Sequence, residues 1–374
     1  MSTLFTPIKL GGVTLPNRVV VSPMCQYSAV DGTMTDWHLI HLGSMAVSGA
    51  GLTMVEATGV TREGRISHGC TGLYSDENEA AMKRVIDAYR RISRAPIGVQ
   101  IGHAGRKAST QLPFQGGKPL SATESPWQTL APSAIPFGEN WHVPRAADAE
   151  DMRRLVDAFA AAATRAAHAG FDVVELHAAH GYLLHQFLSP LSNTRNDDWG
   201  GSREKRMRLP LEVARAVRES WPNERVLGAR ISANDWMEGG AGPEDAVAFA
   251  RELKALGYHY VCVSSGAIVP QARIPVAPGY QVGFAAHVKK AVPIAVRAVG
   301  MIVDPDQAES IVASGQADMV ALARGLLDNP RWVWHAAEHF GVKLDYPRQY
   351  ARCRADLWPG AALARPAGKA KAAA

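Results

Sequence analysis

Eight short runs rich in Val, Ile, Leu and Ala, each followed by a longer segment with helical spacing, recur along nearly the whole chain. No other feature constrains the fold as strongly. The strand-like runs fall at 18–23, 52–57, 97–101, 173–176, 226–231, 260–264, 294–298 and 319–323. Helical segments are expected at 36–48, 78–93, 149–169, 203–220, 243–256, 281–291, 305–314 and 330–340. Ser202 precedes one of them, and Pro243, Pro305 and Pro330 suit a first helical turn. Gly170, Gly257 and Gly315 sit where helices should stop.

Eight strand–helix units in sequence order predict a single α/β domain, a (β/α)8 TIM barrel. The competing doubly wound sheet needs a GxGxxG turn after its first strand. Here the first run leads into SPMCQYS at 22–28, without a glycine cluster. The chain has 374 residues, enough for one large domain or two average ones. The rhythm assigns 1–360 to the barrel and leaves 361–374 as a basic tail expected to be disordered. A hairpin around Gly11 and Gly12 is expected to plug the bottom of the barrel. Long excursions at 105–145 and 180–202 follow the third and fourth strands, which places them on the active face of such a barrel.

Composition narrows the function classes. Hydrophobic residues make up 47% and charged residues 20%, as in ordinary soluble globular proteins. Net charge is +5, with Arg348, Arg352, Arg354, Arg365, Lys369 and Lys371 gathered at the end. No basic stripe is interleaved with aromatics, so nucleic acid is not an expected partner. Cys25, Cys70, Cys262 and Cys353 lack CxxC spacing, which argues against a structural zinc and a disulfide framework. No apolar stretch approaches the ~20 residues of a membrane helix, and no signal peptide is visible. A cytoplasmic location is the expectation.

Polar residues at the C-terminal ends of barrel strands converge on one site. In order, those ends supply Pro23, Met24, Cys25 and Tyr27, then Glu56, Ala57 and Thr58, then Gln100 and His103. The fourth run delivers His177, His180 and Tyr182 within six positions. Two imidazoles can hold a developing oxyanion and a phenol can supply a proton. Arg230 interrupts an otherwise apolar run, and a buried arginine needs an anionic or carbonyl partner. Gly300 and Arg324 precede helix starts after strands seven and eight, where phosphate sites recur in barrel enzymes.

With these residues in place, the chain resembles the Old Yellow Enzyme family of flavoproteins, in particular its thermophilic-like and xenobiotic reductase A-like ene-reductases. The likeness spans nearly the whole chain. Its motifs are SPMCQYS at 22–28, VEAT at 55–58, QIGHAGRK at 100–107 and HAAHGYL at 177–183, then SPLSN at 189–193 with Arg195, Asp197, Trp199 and GGS at 200–202, and finally PGYQV at 278–282 and AVGMI at 298–302.

The resemblance implies noncovalent FMN and NADPH or NADH as hydride donor. Pro23, Met24 and Ala57 would border the flavin ring, Gln100 and Arg230 its pyrimidine edge, and Gly300, Ala323 and Arg324 its phosphate. His177 and His180 would bind the carbonyl oxygen of an activated alkene, Tyr182 would protonate the α-carbon, and Tyr27 would add a phenolic contact. Cys25 would tune the flavin and touch the substrate. QYAR at 349–352 implies that Arg352 reaches a neighbouring subunit's site, hence a homodimer or homotetramer. Departures are Val299, where some relatives carry Trp and the pocket should be reshaped, and Ala323, where relatives often carry Gly.

Other classes remain to be weighed. His177, His180 and His103 could bind a metal in a hydrolase or lyase barrel, although no carboxylate is obviously placed to complete the set. A flavin barrel acting on tRNA would need an additional RNA-binding domain. A dienoyl-CoA reductase architecture would need an iron–sulfur cysteine cluster after the barrel, where only Cys353 lies.

Overall fold

The computed structural model describes residues 2–364. Eight parallel strands close a barrel in strict sequence order. They are β1 (Val19–Val21), β2 (Leu52–Gly59), β3 (Ile97–Gly102), β4 (Val173–Ala178), β5 (Val226–Ser232), β6 (Tyr260–Ser264), β7 (Ala295–Ala298) and β8 (Met319–Leu322). Every residue of β3 and β4 is buried. Strands covered on both faces need no polar alternation, which is why they read as continuous apolar runs. β1 is shorter than the expected 18–23 because Pro23 has no N–H to offer a ladder. β2, β4 and β5 run one or two residues further than expected, carrying their polar ends to the mouth.

The helices are α1 (Asp36–Ala46), α2 (Asp76–Ile92), α3 (Ala149–Ala169), α4 (Leu183–Leu188), α5 (Arg203–Ser220), α6 (Pro243–Ala255), α7 (Val282–Ala291), α8 (Pro305–Ala313), α9 (Arg324–Asp328), α10 (Trp332–His339) and α11 (Ala361–Ala364). Ser202 caps α5 by accepting from the Lys205 amide, and Gly170 ends α3 at φ 93°. Pro243 and Pro305 open their helices as expected. Pro330 does not. Asn329 accepts from the Arg331 amide and turns the chain first, so α10 begins at Trp332. The sequence reading missed α4 and α9, single or near-single turns too short for periodicity to register.

An outer core lies between barrel and helices, with Phe159, Ala162, Ala163 and Ala166 of α3 fully buried in it. Burying one such Phe contributes about 1.5–3 kcal/mol. A second cluster fills the barrel's N-terminal end, where Leu10 and Leu15 meet Val20, Leu52, Met54, Val173, Val226 and Met319. Those two leucines come from the antiparallel hairpin Ile8–Leu10 with Val13–Leu15, which stoppers that end. The excursion after β3 carries a small sheet, Leu130–Ala131 with Arg145–Ala146, and the excursion after β4 carries α4. Of the expected tail, residues 361–364 form α11 and 365–374 lie outside the described residues.

Candidate active site

Strand register sets the site. Ala57 pairs with Gln100 across β2 and β3, and His177 pairs with Arg230 across β4 and β5. Pro23, Met24, Cys25 and Tyr27 follow β1, Gly300 follows β7, and Ala323 and Arg324 follow β8. In a barrel whose strands are otherwise buried, Pro23, Met24, Cys25, Ala57, Arg230, Gly300 and Ala323 stay partly exposed. Together they ring an accessible mouth. Arg324 is exposed and opens α9.

His177, His180 and Tyr182 come together as the HAAHGYL spacing suggested. The His177 ring stands edge-on to His180 at 5.1 Å and to Tyr182 at 4.9 Å between centroids. The turn that achieves this is strained. His180 has φ 59° and Gly181 φ 72°, consecutive left-handed residues of the kind that gather at functional sites. A side chain on Gly181 would meet the Ala267 carbonyl oxygen at 2.1 Å, so only glycine fits.

Polar contacts from several elements hold the turn, among them Gln186 Nε2 donating to the Gly181 carbonyl at 2.7 Å. The His180 amide donates to Ser232 Oγ at 3.1 Å and the Gly181 amide to His185 Nδ1 at 2.8 Å. His185 Nε2 in turn sits 2.9 Å from Asp235, both fully buried. Lys107 Nζ donates to the His180 carbonyl at 2.8 Å and to the Ala267 carbonyl at 3.0 Å. His180 Nε2 lies 2.8 Å from Ser264 Oγ.

Burial, followed by the charge of Arg230, holds both His177 and His180 well below the usual histidine range. Both imidazoles are therefore neutral near pH 7. His177 Nδ1 accepts from the Ala179 amide at 3.3 Å, so its proton resides on Nε2, which becomes a donor. Burial raises Tyr182 well above its ordinary value and keeps its proton in place. Burial and then Glu56 raise the Cys25 thiol in the same way, so it stands as a thiol. Glu56 also fixes the loop that presents Cys25 and Tyr27, accepting from the Gln26 amide at 3.1 Å while facing His38 at 3.4 Å.

His103 is buried, with Nδ1 accepting from the Gly105 amide at 3.0 Å. Among the described residues no group of three or more His, Cys, Asp or Glu side chains is placed to hold a metal. His103, His177 and His180 thus do not form the ligand set that the metal alternative required. Val299 is buried in the cluster inside the barrel. Arg352 is exposed on the 3-10 turn Arg348–Cys353, which packs on α10 through Tyr350 against Trp334. Lys107, Ser264, Gln281, His185 and Asp235 were not assigned roles from sequence. Gln281 lies inside the PGYQV motif and Lys107 inside QIGHAGRK, but neither motif says what the side chain binds.

The mouth suits a planar, phosphorylated ring system. Arg230 Nε is buried without a partner among the described residues, and Arg230 otherwise reaches only Ser22 at 3.4 Å. A guanidinium whose buried N–H is left this way calls for an acceptor from a ligand. Gln100, buried beside it, keeps its carbonyl oxygen unengaged. Gly300, at φ 113°, keeps the wall after β7 free of a Cβ that would strike Gln281. Fold and mouth together define a flavin-binding (β/α)8 oxidoreductase.

Comparison with known proteins agrees. The chain belongs to the NADH:flavin oxidoreductase / NADH oxidase family, whose profile matches residues 3–342. NADPH dehydrogenase of Geobacillus thermodenitrificans is 44% identical over 94% of this chain and 98% of its own. NADPH dehydrogenase of Bacillus licheniformis is 44% identical over 93% of this chain and 98% of its own. Among solved structures, morphinone reductase superposes with a TM-score of 0.75 at 30% identity, covering 92% of this chain and 91% of that one. The likeness to the Old Yellow Enzymes therefore holds at the level of the family. The chain is an NAD(P)H-dependent flavin oxidoreductase with FMN as its cofactor.

Proposed function

We propose that this protein is an ene-reductase of the thermophilic-like and xenobiotic reductase A-like kind, reducing the C=C bond of α,β-unsaturated carbonyl compounds by a ping-pong route. The observation that carries this reading is the ring contact of two neutral imidazoles and a protonated phenol at the mouth of a flavin barrel. Bound FMN would supply the hydride chemistry, with NADPH or NADH as donor and the alkene's β-carbon as acceptor.

The chain's own residues do the rest. His177 donates from Nε2 to the substrate's carbonyl oxygen. His180 donates from its free Nδ1, a role available when the Ser264 hydroxyl donates to Nε2. The Ser264 hydroxyl also reaches Gln281 Oε1 at 3.1 Å, so turning it to His180 gives up that bond and leaves the Gln281 oxygen to Ser265 Oγ at 2.7 Å. With electrons drawn toward the oxygen, Tyr182 gives its proton to the α-carbon. Tyr27 would add a phenolic contact to the substrate, and Cys25 would border the flavin ring. Pro23, Met24, Ala57, Gln100 and Arg230 would hold the flavin, with Gly300, Ala323 and Arg324 at its phosphate.

A cavity of about 680 Å³ opens beside Tyr27, lined in part by Asp31, Glu63 and Trp127. Arg352 is exposed on its own chain and would reach the site of a second copy, which is the basis for reading the protein as a homodimer or homotetramer. The protein is assigned to the cytoplasm. Among the described residues no helix is long and apolar enough to cross a membrane.

The test is the visible spectrum of the purified protein, taken before and after anaerobic NADPH and then cyclohexenone. A flavin spectrum that bleaches with NADPH and returns with the enone supports the cycle. A protein that bleaches but is not reoxidised by enones loses the alkene assignment.

A further inference from the structure

Beneath the mouth, four polar side chains meet inside the barrel. Glu175 of β4, Arg297 of β7 and Tyr260 of β6 are fully buried, and Gln100 of β3 nearly so. Glu175 and Arg297 form an ion pair. Tyr260 donates to Glu175 Oε2 at 2.8 Å, and Gln100 Nε2 donates to Glu175 Oε1 at 2.7 Å. Gly228 makes room for this arrangement, since a Cβ there would strike the Tyr260 ring at 2.2 Å. Strand register puts Gln100 directly opposite Glu175.

A carboxylate in an ion pair only accepts, and Glu175 is paired with Arg297 and accepts from Tyr260. The Gln100 amide group facing it must therefore be the NH2. That fixes a choice which is otherwise free, because an amide can flip end for end at little steric cost. The Gln100 oxygen is left as an acceptor with no donor among the described residues. The pyrimidine edge of a flavin presents an imide N–H between two carbonyls. An outward amide oxygen accepts from that N–H, and the second amide hydrogen can serve a neighbouring carbonyl. In the flipped amide, N–H would face N–H.

We propose that Glu175 is a positioning residue for the cofactor. Its carboxylate, held by Arg297 and Tyr260, locks the Gln100 amide with its oxygen toward the flavin's imide N–H. This rests on the reading that Gln100 meets the flavin edge. It extends that reading to residues that do not touch the flavin.

The test is a double-mutant cycle on the holoenzyme, read as FMN release on serial dilution through the fluorescence of free FMN. Removing Glu175 alone would strand a buried arginine and risks unfolding. The second background is therefore Glu175→Leu with Arg297→Met, which removes both charges at similar volume, and a thermal melt checks that it folds. In the native background Gln100→Leu should weaken FMN binding by roughly tenfold or more. In the charge-free background, FMN should already bind more weakly, and Gln100→Leu should cost only about threefold or less, because the free amide no longer favours one orientation. Equal losses in both backgrounds would overturn the role of Glu175 and leave the contact of Gln100 with the flavin intact. No loss in the native background would overturn that contact, and the inference with it. If the charge-free protein does not fold, Tyr260→Phe replaces it. Removing that donor loosens Glu175 without stranding a charge. The loss on Gln100→Leu should then shrink, and an unchanged loss counts against the proposal.

Discussion

Tyr182 and His177 touch each other, yet the chemistry asks different things of them. Tyr182→Phe keeps the ring contact with His177 and deletes only the proton. It should slow reoxidation by cyclohexenone about 10²–10⁴-fold while leaving flavin reduction by NADPH largely intact. Stopped-flow traces of the two half-reactions decide this, and equal losses in both would remove Tyr182 as the proton donor. His177→Ala should weaken binding of phenols, which imitate the substrate's enolate, by roughly tenfold or more. Unchanged phenol-induced absorbance on titration would count against the oxyanion role. Both residues were legible in the sequence because a hydrophobic strand ran straight into them. Lys107, Glu175 and Ser264 were not. Glu175 sits in an apolar run, Ser264 at a strand end and Lys107 in the turn after β3; none of these places says with whom the side chain pairs, and their partners lie on other elements.

The turn after β4 works as a unit braced from three sides. Lys107 ties it to the loop after β6, Ser232 reaches it from the end of β5, and the His185–Asp235 pair supports it from behind. Burial, with Arg106 beside it, pushes the Lys107 ammonium down to about 7. Gly181→Ala should strike the Ala267 carbonyl and force a left-handed backbone on alanine. We expect a loss of about 1–3 kcal/mol in stability and weaker phenol binding, since His180 is the adjoining residue. Thermal melts and phenol titrations measure the two effects, and an unchanged phenol affinity would show that the turn tolerates displacement. The eight strands and the main helices were readable from periodicity. The left-handed pair was not, because His180 gives no sign of a positive φ and only the loop from β6 makes Gly181 obligatory.

Across the molecule, burial leaves several histidines reluctant to charge. His41 and His103 are each lowered to about 4, and His177 and His180 lie well below 6.5. In the unfolded chain all four titrate near 6.5. Below that pH the unfolded state binds protons that the native state refuses, so stability falls as pH falls. Each histidine can contribute up to about 1.4 kcal/mol per pH unit between its two pKa values. The melting temperature of the holoenzyme should therefore drop steadily from pH 7.5 to pH 5. A flat profile over that range would mean that the four rings are better hydrated than their burial implies. The barrel itself was legible at this scale from the strict alternation of elements. Its closure and the fit of the hairpin into its base depend on twist and side-chain volume, which periodicity does not carry.

That hairpin has a kinetic consequence. With Leu10 and Leu15 covering one end and side chains filling the barrel, the mouth at the other end is the face left for ligands. If the proposed function holds, dinucleotide and alkene would use that one face in turn, and whichever is in excess would occupy it. High concentrations of either should inhibit competitively against the other, and raising the second should relieve the inhibition. Such an enzyme runs fastest at a matched supply of the two, and its rate in a cell follows the ratio of donor to acceptor more closely than the amount of either.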